Sequence, residues 1–124
     1  MSQPPLVVID AANVVGSVPD GWWRDRAGAT ARLRDRLAAV ATRGLPDLPP
    51  PLDLLLVVEG AARDTPAIEG VRVHAAPRSG DDAIVELIAA EPADRTRVVV
   101  TADRGLRERV TRLGASVLGP RAVR

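Results

Sequence analysis

Cysteine is absent from this 124-residue chain, which removes disulfides, thiolate nucleophiles and zinc–thiolate sites from consideration. Lysine is absent too. All 17 basic residues are arginine, so a Schiff-base lysine and a P-loop lysine are excluded. With no tyrosine and no phenylalanine, a tyrosine acid is excluded as well, and Trp22 and Trp23 are the only aromatic side chains. No apolar run approaches the roughly 20 residues that cross a bilayer, so no membrane association is expected. The opening Met1-Ser2-Gln3-Pro4-Pro5 has neither a charged n-region nor a small-residue cleavage site, and the expected location is cytoplasmic. A net charge of +1 leaves no global basic footprint, so any contact with nucleic acid falls to local arginines.

What remains is ordinary globular material, 46% apolar and 27% charged. Its length suits a single domain over residues 1–124. Leu6-Val7-Val8-Ile9 is a short apolar run of the kind buried on both faces of a sheet. Residues 11–21, with Asn13, Gly16, Pro19, Asp20 and Gly21, predict a loop. Residues 22–42 carry helical periodicity through Ala29, Leu33, Leu37 and Val40, with Gly44 as the C-terminal cap. After a proline-rich connector, strands are expected at 52–58, 71–75, 97–101 and 116–118. Helices are expected at 81–90, capped by Ser79, and at 103–113. The tail 121–124 is expected to be loose. Strands alternating with helices specify an α/β fold with a mostly parallel sheet of about five strands.

The three apolar strands each carry an acid at or just past the carboxyl end: Asp10, Glu59 and Asp103. In an open parallel sheet those ends converge on the crevice where ligands bind. Asp81 and Asp82 open a helix on the same edge. Each acid has a plainer explanation as a turn former, a helix cap or a solvated strand end. Capping does not explain why every such end is acidic. Carboxylates gathered there would repel one another unless a cation were present, and oxygen ligands without His or Cys favour Mg²⁺ or Mn²⁺. His74 has no partner motif and is expected to be an ordinary strand residue.

Three of these segments resemble the NYN domains of the PIN-like nuclease superfamily. Val8-Ile9-Asp10-Ala11-Ala12-Asn13 is similar to the opening strand, where Asp-Gly-x-Asn is common. Ser79-Gly80-Asp81-Asp82-Ala83-Ile84 resembles the Ala-Asp-Asp-x-Ile start of the acidic helix, and Val100-Thr101-Ala102-Asp103-Arg104-Gly105-Leu106 resembles the Thr-Ser-Asp-x-x-Leu strand end. The resemblance implies a Rossmann-like three-layer sandwich and a divalent-metal ribonuclease site. By motif match Asp10, Asp82 and Asp103 are the catalytic, metal-binding acids, Asp81 is an auxiliary ligand and Glu59 stands where an Asp-Gly pair is often found. Asn13 then orients the first acid or a phosphate, and Thr101 supports the metal shell. Ala11 and Ala12 depart from the usual Gly and aromatic.

An RNA substrate, single-stranded or structured, needs phosphate contacts from Arg24, Arg26, Arg78, Arg104 and Arg107, whose planar forks suit phosphate oxygens. Trp22, after Asp20-Gly21, is the expected exposed base-stacker, and Trp23 is expected to pack under the first helix. The expected activity is hydrolytic, metal-dependent cleavage of RNA. Two alternatives stay open: a hydrolase of free nucleotides or small phosphate esters, and a non-catalytic module binding RNA or a protein, with a homo-oligomer or a protein partner possible in either case. A dinucleotide site is not expected, because no G-x-G-x-x-G follows the first strand.

Overall fold

The computed structural model describes residues 3–124. Five strands form one sheet: β1 (Leu6–Asp10), β2 (Asp53–Val58), β3 (Val71–Ala75), β4 (Arg97–Val100) and β5 (Ser116–Leu118). Their order across the sheet is β3-β2-β1-β4-β5, and every pairing is parallel. Four α-helices accompany them: α1 (Ala11–Gly16), α2 (Arg26–Arg43), α3 (Gly80–Ala90) and α4 (Arg104–Arg112). Short 3₁₀ turns occupy Trp22–Arg24, Gly60–Ala62 and Pro120–Ala122.

Alternation along the strands divides the core in two. Val7, Ile9, Leu54, Leu56, Val98 and Val100 meet Val14 of α1 and Leu33, Leu37 and Val40 of α2. Leu6, Val8, Leu55, Val57 and Val99 meet Ile84 and Ile88 of α3 and Leu106 and Val110 of α4. Period-two strands between two helix layers give the expected Rossmann-like sandwich. β1 lies at the centre because its five residues are all buried and both its edges are paired.

Three expectations are corrected. The segment 11–21 is not all loop: Asp10 caps a helix of six residues immediately after β1, accepting from Asn13 N–H at 3.5 Å, and the second helix starts at Arg26 rather than Trp22. Gly21, at φ 82°, turns the chain into the Trp22–Arg24 corner, and Asp25 caps α2. Nor is the tail loose. Val123 is buried, and the Arg124 guanidinium donates to Ser17 O and Oγ at 2.9 and 3.0 Å.

At the foot of β4 lies a buried arginine without an acidic partner. Arg97 donates to Ile88 O at 3.1 Å, Leu113 O at 2.7 Å and Arg95 O at 3.3 Å. It thus meets the carbonyl ends of both α3 and α4, where the helix dipoles are negative.

Candidate active site

Strand order reverses between β1 and β4, since one branch of the chain runs outward to β3 and the other to β5. Ligands of open α/β sheets bind at such a junction, outside the carboxyl ends of the strands. Here the ends of β1 and β4 are cross-linked by side chains. Thr101 Oγ donates to Asp10 Oδ2 at 2.9 Å, and the same hydroxyl accepts from Asp103 N–H at 3.1 Å. Asn13 Oδ1 accepts from Ala102 N–H at 2.8 Å. Thr101 is fully buried, so its hydroxyl serves both acids at once. Asn13 therefore holds the β4 end through its side chain while its N–H contacts the Asp10 carboxylate. Arg107 is committed as well, donating through Nε to Thr101 O at 2.7 Å.

Asp10 is buried to 5% exposure. Burial is the main cause that pushes its carboxyl up to about 6; the Thr101 and Asn13 hydrogen bonds oppose the rise, and the charges of Asp81 and Glu59 add to it. Asp81, half-buried in the first turn of α3, is also raised, by burial first and then by Asp103 and Glu59, with Arg109 acting the other way. These four carboxylates thus share one electrostatic neighbourhood over β1, β2, β4 and the start of α3. Asp103 also caps α4 through Leu106 N–H at 2.9 Å, so capping and the crevice engage the same residue.

Glu59 leaves the end of β2 and accepts from Gly80 N–H through Oε2 at 2.7 Å, helping Ser79 to close the start of α3. A Cβ at residue 80 would stand 3.3 Å from Glu59 Oε1, so the approach favours glycine. Asp82 lies at the outer edge of this group, and its charge also raises Asp81. It is exposed and pairs with Arg109 at 3.0 Å, while its N–H bonds Ser79 Oγ. The motif match names Asp82 as the catalytic acid, but the helix turns Asp81 inward. The sequence contains the signal: Asp81 precedes Ile84 by three residues and Ile88 by seven, on the buried stripe of α3. Among the described residues, no three or more acidic or imidazole side chains are arranged to hold a metal ion.

Beside the acids, a cavity of about 400 Å³ opens between α1, α2 and the Gly60–Ala62 turn, with Glu59 and Arg78 on its wall. Trp22 lines it, half-buried, with the Arg26 guanidinium 5.3 Å from the ring centroid. The exposed tryptophan is Trp23, 54% accessible, with Arg24 6.0 Å from its ring and Trp22 edge-on at 5.9 Å. The expected exposures of the two tryptophans are therefore exchanged, because the chain reaches α2 through a 3₁₀ corner that turns Trp22 toward α1. Arg24, Arg26, Arg78 and Arg104 are all exposed near this edge.

Among the described residues, no helix is long and apolar enough to cross a membrane. No family model matches the chain, and no match is found among curated proteins. Among solved structures, a mutant form of Rae1 (YacP) from Bacillus subtilis is similar over 94% of this chain and 70% of that chain. The TM-score is 0.72 at 16% sequence identity. The likeness is one of fold: a Rossmann-like α/β sandwich with an all-parallel five-stranded sheet.

Proposed function

We propose that this chain is a metal-dependent ribonuclease that hydrolyses phosphodiesters in the crevice above the β1–β4 junction. The observation that carries the reading is the electrostatic grouping of Asp10, Glu59, Asp81 and Asp103 at the strand ends, with burial raising the Asp10 carboxyl to about 6. Such a group is costly without a cation, and the caps and strand ties its members make do not require four carboxylates in one place.

The donor set is all oxygen, which fits Mg²⁺ or Mn²⁺. One or two of Asp10, Asp81 and Asp103 would hold the ion together with substrate phosphates, while Glu59 adds negative charge with one oxygen already engaged by Gly80. Magnesium keeps several waters and binds through one or two carboxylates plus substrate phosphates, so a ready-made cage of three acids is not required. When bound, the ion supplies an acidified water and offsets charge developing on the phosphoryl oxygens. Thr101 fixes the plane of the Asp10 carboxylate and positions Asp103 through its backbone. Asn13 keeps the two strand ends together. Arg24, Arg26, Arg78 and Arg104 offer forked donors to phosphates along the edge. Asp82 is set aside, since Arg109 already neutralises it.

The cavity beside the acids favours one alternative, hydrolysis of a free nucleotide or small phosphate ester. The test is calorimetric titration of Mn²⁺ into metal-free wild type and Asp10→Asn, followed by incubation of both with single-stranded RNA and with mononucleotides. Mn²⁺-dependent cleavage of RNA by wild type alone is the expected result. Phosphate release from mononucleotides without RNA cleavage selects the alternative. Inertness toward both overturns catalysis and leaves a binding module.

A further inference from the structure

The cavity between α1, α2 and the Gly60–Ala62 turn combines features that the acidic group does not need. Its lining combines Val15 and Ala62 with the Thr30 side chain and the indole of Trp22, over which the Arg26 guanidinium lies at 5.3 Å. Arg26 and Arg78 stand at its rim. Glu59 contributes a carboxylate held in a fixed plane, because Oε2 accepts from Gly80 N–H at 2.7 Å, while Oε1 makes no hydrogen bond among the described residues. A cavity of this size with an aromatic wall suits a planar heterocycle, and stacking on such a wall is common to single-strand binders. The carboxylate can only accept, so it selects an edge made of adjacent donors. Guanine presents N1–H and N2–H side by side. Adenine and cytosine place a ring-nitrogen acceptor next to their amino group, and uracil flanks one N–H with two carbonyls; each would set an acceptor against Glu59.

We propose that this cavity binds an unpaired guanine base, stacked on Trp22 and hydrogen-bonded to Glu59, with its phosphate on Arg78 or Arg26. Glu59 also borders the acidic group, so the scissile phosphate of an RNA would lie next to the bound guanine. That last step rests on the nuclease reading; the pocket itself does not.

The test is therefore run without metal. Guanosine, adenosine, cytidine and uridine 5′-monophosphates are titrated in EDTA and followed by tryptophan fluorescence. Trp23→Leu leaves Trp22 as the reporter, and Trp22→Leu leaves Trp23. Saturable quenching by the guanosine nucleotide is expected in wild type and Trp23→Leu, at least about tenfold tighter than for the other three. It should vanish in Trp22→Leu. Glu59→Gln, whose amide can still accept from Gly80 N–H but turns its own donors on guanine, should weaken binding by at least about tenfold with unchanged circular dichroism. Equal binding of all four nucleotides, no saturation, or quenching that survives in Trp22→Leu overturns the proposal. Failure here leaves the nuclease reading standing. Failure of Mn²⁺ binding with guanosine nucleotide binding intact overturns only the nuclease reading.

Discussion

Replacing Asp10 by asparagine should make this protein more stable at pH 8 and less stable at pH 4. In the folded chain burial raises the Asp10 carboxyl from 3.8 to about 6. The folded state therefore holds its proton more tightly than the unfolded state. Sharing of that proton favours folding fully below about pH 4, and the advantage is lost as pH rises through 6. By pH 8 the cost of the buried charge is the whole shift, about two units at about 1.4 kcal/mol each, or about 3 kcal/mol. Asparagine removes it. The amide can accept from Thr101, but its nitrogen faces Asn13 N–H in place of a capping oxygen, a loss of about 1 kcal/mol at every pH. The net gain at pH 8 is thus about 2 kcal/mol, which for a chain of this length raises the melting temperature by about 8 °C. Below pH 4 only the capping loss remains, so the two stability curves should cross between about pH 4 and 5. Thermal denaturation of both proteins in EDTA from pH 3.5 to 8 measures the gap. A gap that stays constant across that range would refute the reasoning, since nothing in it would then titrate at Asp10. Added Mg²⁺ should stabilise wild type and not the variant, narrowing the difference at pH 8.

Other outcomes follow from the same geometry. Asp81→Asn should abolish RNA cleavage, whereas Asp82→Asn should leave at least half of it; comparable losses in the two would restore Asp82 to the site. Thr101→Val removes the hydroxyl shared by Asp10 and Asp103 while keeping its volume, so urea denaturation should show a loss of about 1–3 kcal/mol. Arg97→Met leaves the Ile88 and Leu113 carbonyls without their donor and should cost about 2–4 kcal/mol by the same measurement. Arg97→Lys should recover only part of it, because one ammonium on a flexible stem does not reproduce the fork.

Much of the sheet was legible because its strands are apolar runs bounded by turn formers, and three helices carry enough turns to show a period. The helix α1 was hidden by its length. Six residues give less than two turns of pattern, and Asn13 and Gly16 are turn formers on their own; the cue was Asp10 three residues before Asn13, a cap. The anchored tail depends on Arg124 reaching Ser17 across the whole chain, and no local pattern encodes that. The acids were visible as a set, yet their division of labour was not. Asp81 and Asp82 differ by a 100° rotation, so motif matching alone could not separate them, although the stripe through Ile84 and Ile88 does. Capping and site explanations of Asp10 and Asp103 also proved compatible, because a helix that starts where a parallel strand ends puts its cap over the crevice.

The bond from Ala102 N–H to Asn13 Oδ1 has a wider consequence. Together with the Thr101–Asp10 bond it stitches the two halves of the sheet shut at the point where they diverge. The acids are thereby seated on strand ends that side chains tie to one another. Adaptation to substrates of different shape then falls to the part outside the stitches, the Gly21–Asp25 corner with its two tryptophans and its arginines. For the proposed nuclease such a design separates tasks in space: the acids lie on the tied strand ends, and the side chains offered to a substrate lie in a corner outside them.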